Sequence, residues 1–219
     1  MSYINFGIKN LESPLDDNII QAYEQGFVMT RVSPGHMEKI RSIRIDLKKF
    51  VASSENRRIL GKFNHKIIKE EIPLVNYDWH IHKIGKDFYD TKFGIDTFSA
   101  NKIKEILTEK QNFNILLKYE DIETDGYCIC KTSQNKNLKI IHYSYPFYKI
   151  EKINKSFGIF MMTLAIQTFQ EEGFDYIYLG SCHSEKSKYK LQFTGLEWFD
   201  EKSNTWNTDI EKLKQRLKE

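Results

Sequence analysis

Cysteine is scarce in this sequence: three occur in 219 residues, and their placement implies no disulfide framework. Two of them, Cys128 and Cys130, lie in the alternating run DGYCICKTS, where a strand would turn both thiols to one face. A metal there would need two further ligands at suitable spacing, so two small strand residues is the plainer reading. With 4 prolines and 11 glycines there is little material for flexible linkers, and no repeat or low-complexity tract divides the chain. The expectation is one domain over residues 1–219. No stretch approaches the roughly 20 apolar residues of a membrane helix, and the opening MSYINFGIKNLESPLDD lacks the basic start, apolar core and cleavage site of a signal peptide. A cytoplasmic enzyme or binding protein with no membrane partner is the expectation. Charge of one sign is lacking too. Lys+Arg at 33 against Asp+Glu at 30 gives +3, too little to announce a nucleic-acid protein, so any such role must rest on local patches.

What is abundant is apolar and aromatic material, 40% and 14% of the residues, enough for a substantial core. SPLDDNIIQAYEQG predicts a helix capped at Ser13, with Pro14 at its first position and Gly26 after its end. IRSIRIDLKKF alternates from Ile43 to Leu47 as a strand, setting Arg44 opposite the apolar face. In ASSENRRILGKFNHKII, Ser53 or Ser54 caps a basic segment with Arg57, Arg58, Lys62 and Lys66. Helices are expected around Tyr77–Tyr89 and Ser99–Glu109, so that His80 and His82 of WHIHK point about 200° apart rather than forming a ligand pair. NFNILLKYE, GYCICKT and NLKIIHYSY read as an antiparallel meander. INKSFGIFMMTLAIQTFQEEG then reads as an apolar helix stopping at Gly173, FDYIYLG as a strand, and NTDIEKLKQRLKE as a charged, solvated final helix.

In an α/β domain, ligands favour strand ends and helix N-termini, where free N–H groups and the dipole attract anions. KINKSFGIF supplies one such terminus, in which Lys152, Lys155 and the backbone from Ser156 to Gly158 could cradle a phosphate. Downstream, YIYLGSCHSEKSKYKLQFTGLEW runs from a strand end into a basic, aromatic stretch. Tyr178 and Tyr189 could stack on a base while lysines meet phosphates. The residues alone suit a nucleotide, coenzyme A or the end of an RNA.

The stretch also resembles a family: the arginyl-tRNA–protein transferases and their bacterial leucyl-transferring relatives. Tyr178, Leu179 and Gly180 match the family's Y-L-G strand end. Lys186, Tyr189 and Lys190 match K-M-x-Y-K, and Phe193, Glu197 and Trp206 the aromatic, P-x-E and later Trp that follow. Ser156 and Gly158 take the S-x-G positions, while Arg44, Phe50, Ser53, Arg57 and Arg58 match an upstream R-hydrophobic strand, F-x-x-S and paired Arg. The resemblance spans roughly residues 15–206 in consistent order. It departs from the family in lacking a cysteine cluster before the Arg-rich strand, in Ser181 and Cys182 after Gly180, in a loop about two residues shorter, and in Ser187 for Met and Gly195 for Pro.

The resemblance implies a GNAT-like acyltransferase fold, α/β with a mixed, mostly antiparallel sheet flanked by helices. Residues 1–70 would supply an N-terminal helix, strand and basic segment, and 71–219 the acyl-transfer core. It implies transfer of an amino acid, Arg or Leu, from aminoacyl-tRNA as co-substrate to a protein or peptide N-terminus or a small amine, with no cofactor; the family's cysteine cluster, thought to hold a metal or cluster, is absent here, so no metal is expected. Tyr189, Lys190 and Glu197 would act at the reacting centre, with Glu197 orienting the amine or taking its proton. Arg44, Tyr178 and Gly180 would bind substrate, Arg44 by pairing with an acidic acceptor. Arg57, Arg58, Lys155, Ser156, Gly158 and Lys186 would hold the tRNA. Two competing readings are an acyl-CoA-dependent GNAT enzyme, for which NKSFGIF carries only half of the usual phosphate signature, and a catalytically silent RNA- or peptide-binding module.

Overall fold

The computed structural model describes residues 5–12 and 14–218, without the side chains of 153–155. In chain order the elements are β1 (Gly7–Asn10), α1 (Asp16–Glu24), β2 (Phe27–Met29), β3 (His36–Lys39), β4 (Ser42–Asp46), α2 (Ser54–Leu60), β5 (Lys66–Glu71), α3 (Trp79–Phe93) and α4 (Ala100–Thr108). They continue with β6 (Ile115–Glu120), β7 (Thr124–Gln134), β8 (Lys139–Tyr148), α5 (Phe157–Glu171), β9 (Tyr176–Ser181), β10 (Leu196–Asp200), β11 (Thr205–Asn207) and α6 (Ile210–Arg216). Two 3-10 segments, Ile150–Lys155 and Glu185–Gln192, precede α5 and follow β9. The architecture is the expected α/β one, a mixed and mostly antiparallel sheet flanked by helices.

The chain divides into two compact units. The first comprises Met1–Ser53, Thr132–His142 and Phe169–Glu219. Its strands run β11-β10-β4-β9 and on to the start of β8, all antiparallel except the parallel pairing of Ile140–His142 with Tyr176–Tyr178. A small sheet ordered β1-β3-β2 accompanies them; its three- and four-residue strands are too short to show a period in sequence. Every residue of β4 and β10 is buried, and Trp198, Phe199, Ile43 and Ile45 are sealed completely. Both faces of β4 are therefore covered, and Arg44, expected opposite the apolar face, lies in a second interior at 4% exposure.

One irregularity shapes the strand end. Ile43 pairs with Gly180 and Arg44 with Tyr178, so Leu179 is an extra residue in β9. Gly180 adopts φ +75°, a left-handed conformation that a glycine enters freely at a bulge.

Two expectations need correction here. Ser13 lies outside the described residues, and α1 begins at Asp16 with Leu15 in the cap position and no side-chain cap, so Pro14 is not its first residue. Asp16 and Asp17 in the first turn supply the charge that the helix dipole favours. The final helix is also more than a solvated face. Lys212 Nζ lies 2.6 Å and Arg216 Nη2 3.5 Å from the carboxylate of Asp200, which is 1% exposed.

The second unit, Ser54–Lys131 and Tyr143–Thr168, holds the remainder of β8 with β7, β6 and β5 in that order, together with α2, α3, α4 and most of α5. Asp78 caps α3 and Ser99 caps α4 through side-chain oxygens. Ile81, Gly85, Phe88 and Tyr89 recur at helical spacing as the buried stripe of α3. A Cβ on Gly85 would come 2.7 Å from Ile103 Cδ1, so glycine sets the close approach of α3 and α4. Cys128 and Cys130 do share a face, with sulfurs 3.5 Å apart and no exposure.

Candidate functional site

In the first unit, one arginine organises the residues around β4 and β9. Arg44 Nε donates to Glu197 Oε2 at 2.8 Å, while Nη1 donates to Glu24 Oε1 and to Tyr178 OH. Tyr178 OH donates in turn to Glu24 Oε1 at 3.0 Å. The rings of Tyr176 and Trp206 lie 3.8 and 4.1 Å from the guanidinium carbon. Burial opposes the charge of Arg44, but Tyr178, Glu24 and Glu197 outweigh it and hold its pKa above the ordinary arginine value. Burial likewise pushes the Tyr178 phenol well up. Arg44, expected to meet an acidic acceptor, thus meets two carboxylates of its own chain, and Tyr178 is sealed beneath it rather than open to a base. Among the described residues the basic neighbours of Glu197 are Arg44 and, at 3.7 Å, Lys49.

The bulge in β9 holds a second group. Lys190 Nζ donates to the carbonyls of Leu179 at 2.7 Å and Ser181 at 2.9 Å, the residues on either side of Gly180. A lysine has three N–H donors, and these bonds use two. Desolvation of the inward-turned ammonium lowers its pKa to about 8. Among the described residues a Cβ on Gly180 would meet His142 Nε2 alone, at 4.0 Å, so space is left in front of the glycine. His142 is neutral there: burial, reinforced by Lys190, lowers its pKa to about 3. Tyr23 OH accepts from the Met29 N–H at 3.2 Å and lies 2.9 Å from His142 Nδ1, tying the imidazole to the end of α1. The neighbouring Cys182 thiol is buried and pushed up in pKa, the opposite of an activated nucleophile.

The segment read as a basic aromatic loop is the 3-10 stretch Glu185–Gln192. Tyr189 is 47% exposed, so it is no core residue, and Lys186 is exposed. Lys188 is paired with Glu185.

The residues assigned to RNA outside this stretch lie in the second unit. Arg57 and Arg58 are exposed on α2, the latter gripping Glu55 at 2.6 and 2.5 Å. Ser156 stands exposed just before α5 with φ +61°, and a Cβ on Gly158 would press to 3.2 Å on Tyr148 OH. The Lys155 side chain lies outside the described residues. Lys152, expected to meet phosphate, is instead 2.8 Å from Asp125, which also takes His65 at 2.8 Å and Lys149 at 3.4 Å. Burial opposes the Asp125 charge, but Lys152 and His65 hold its pKa below the usual carboxylate value. An internal carboxylate thus occupies cations that a free phosphate would need.

Sequence reasoning missed Glu24, Tyr176 and His142 as members of the first-unit cluster. Glu24 meets Arg44 across 20 residues, Tyr178 across 154 and, through its backbone carbonyl, Trp206 Nε1 across 182, and no local pattern records such partners.

No family model matches the sequence. Over 186 residues the chain is 24% identical to an aspartate/glutamate leucyltransferase from Ruegeria sp. (strain TM1040), an alignment covering 80% of this chain and 66% of that protein. The chain therefore spans slightly less than two thirds of the length of this curated relative. Among solved structures, L-PGS from Bacillus licheniformis is similar at 13% identity and TM-score 0.45, covering 75% of this chain and 49% of that one. A GCN5-related glucosamine N-acetyltransferase region of a fungal multi-domain beta-N-acetylglucosaminidase is similar at 13% identity and TM-score 0.46, covering 85% and 22%. At TM-scores below 0.5 these structural likenesses carry no weight for activity or substrate, and the functional comparison rests on the leucyltransferase.

Proposed function

We propose that this chain is an aminoacyltransferase that moves an amino acid, arginine or leucine, from a charged tRNA to the amine of a protein or peptide N-terminus or of a small molecule. The observation that carries the reading is the similarity to a leucyltransferase over 80% of the chain. The chemistry asked of the site is modest. An aminoacyl ester is already activated, so its transfer needs orientation of the amine, removal of one proton and stabilisation of the carbonyl oxygen. The amine nitrogen bonds to the ester carbon, the bond to the ribose oxygen breaks, and the proton lost by the amine is balanced by the one gained by the leaving hydroxyl. An α-amino group with a pKa of about 7.7–8.0 is partly neutral at pH 7, so a carboxylate such as Glu197 is base enough.

In this reading Glu197 receives the amine proton, and the third N–H of Lys190 faces the ester oxygen above Gly180. Tyr189 offers an exposed ring to a base of the tRNA and Lys186 a charge to a phosphate, while Arg57 and Arg58 on α2 meet further phosphates of the polyanion. Aminoacyl-tRNA is the co-substrate and no cofactor is required. The occupation of Lys152 by Asp125 takes from the Ser156–Gly158 turn a cation that any phosphate there, of coenzyme A or of tRNA, would use.

The test is transfer of radiolabel from tRNA charged with arginine, leucine or a mixed pool onto peptides beginning with Asp, Glu, Arg or Lys, with ribonuclease and acetyl-CoA controls. Ribonuclease-sensitive label on a peptide is the expected result and names donor and acceptor together. Label from acetyl-CoA alone would replace this reading with an acyl-CoA enzyme, and silence from every donor with a binding module.

A further inference from the structure

We infer that Glu24 is a positioning residue, holding Glu197 in its working geometry through Arg44. A guanidinium is a rigid planar fork. The centroids of the Tyr176 and Trp206 rings lie 3.8 and 4.1 Å from the guanidinium carbon of Arg44, packing that restricts the fork. What its edges bind decides where it stops. Glu24 Oε1 and Tyr178 OH take the Nη1 corner, which leaves Nε to donate to Glu197 Oε2. Glu197 is thereby held by Oε2, and among the described residues the cation at its Oε1 is Lys49, whose side chain is 65% exposed and 3.7 Å away. Without the Glu24 charge, Arg44 would be drawn wholly to Glu197. Carboxylates and guanidinium groups pair preferentially through two parallel bonds, and such a pair would engage the second oxygen as well. Glu24 is itself well fixed, since its backbone carbonyl accepts from Trp206 Nε1 at 3.0 Å, the ring that clamps Arg44.

The inference rests on the proposed role of Glu197, and its test carries one arm that does not. In Glu24→Gln, the shape of the side chain is kept and the charge removed. Expected are a kcat about tenfold lower in tRNA-dependent transfer, a KM for the acceptor peptide within about twofold of wild type, and recovery in Glu24→Asp. In a Glu197→Gln background the same change is expected to cost less than about twofold, because its effect passes through Glu197. An equal loss in both backgrounds would mark Glu24 as merely structural and overturn the inference. Tyr178→Phe, which removes the hydroxyl's bonds to Arg44 and Glu24 but no charge, tests the same coupling should Glu24→Gln fold poorly, with a smaller loss that likewise vanishes without Glu197. The independent arm is the Arg44 Nε–H resonance, which is expected to shift in Glu24→Gln as the fork turns toward Glu197. An unmoved resonance would sink the positioning role even if transfer is observed; a moved one with no transfer in wild type would overturn the proposed function alone.

Discussion

Lys190 Nζ lies 2.7 Å from the carbonyl of Leu179, the one residue by which β9 outruns its partner β4. The ammonium ties the 3-10 segment after β9 back to the bulge and sits beside the glycine that the bulge exposes. Its pKa of about 8, against the ordinary 10.5, makes it a titrating group whose effect on stability has a defined sign. Above about pH 8 the folded chain has released this proton while the unfolded chain keeps it until about pH 10.5, so this group makes stability rise with pH across that window. Below pH 8 its full penalty is present, on the order of 3 kcal/mol. Lys190→Met should therefore abolish that rise relative to wild type in urea unfolding at pH 7, 8, 9 and 10. Parallel curves for the two proteins would show that Lys190 is not desolvated in solution.

Arg44→Met should destabilise the fold by about 3–5 kcal/mol, because it leaves the buried Glu197 carboxylate without its hydrogen-bonded guanidinium partner and takes one from Glu24. Glu24 is partly exposed and can turn to water, so most of the loss is expected to be regained in Arg44→Met with Glu197→Gln. Urea midpoints of the single and double variants measure it. A double variant no better than Arg44→Met would mean that ring packing, not charge, sets the cost.

Gly180→Ala places a side chain where φ is +75° and where the new Cβ would meet His142 Nε2 at 4.0 Å and nothing closer. The expected stability loss is only about 1–2 kcal/mol, the cost of the left-handed conformation. Transfer activity should fall by far more than this, because the methyl enters the space assigned to the ester. Activity reduced no more than the folded fraction would remove Gly180 from the site.

Arg57→Ala and Arg58→Ala should weaken tRNA binding uniformly across sequences. Each should also reduce the slope of log K against log salt by about 1, as a lost phosphate contact does. The Arg58–Glu55 pair is no obstacle, since exposed ion pairs are worth at most about 1 kcal/mol and yield to a phosphate. A filter-binding titration between low and physiological salt reads the slope, and an unchanged slope would exclude α2 from the RNA surface.

Much of the chain's order was legible without coordinates where a period or a punctuating residue was present. Ser99 caps α4 as read, α5 ends before Gly173 at φ +72°, and the runs ending in KYE, CKT and YSY lie in adjacent strands. The misreadings fall where periodicity says nothing. Ser13 and Pro14 look like a helix start, yet α1 begins at Asp16, because two acidic residues in a first turn can substitute for a side-chain cap. Lys212 and Arg216 look solvated because a helical face of charges shows in sequence, whereas the buried carboxylate of Asp200 that receives them does not.

The site divides in the same way. The sequence by itself determined which residues reach the end of β9: a strand ending in Tyr178, Leu179 and Gly180, followed within a dozen residues by Lys190 and soon after by Glu197. Side-chain chemistry and short-range spacing suffice for that. Only the tertiary structure decided what those residues do to one another. Strand pairing puts Arg44 beside both Tyr178 and Glu197, the end of α1 brings Glu24 to the same guanidinium, and β11 lays Trp206 over it. The reason is physical. Buried charges must find partners wherever the chain can supply them, and for Arg44 the partners come from 20, 134 and 153 residues away, distances at which sequence has no period left to read.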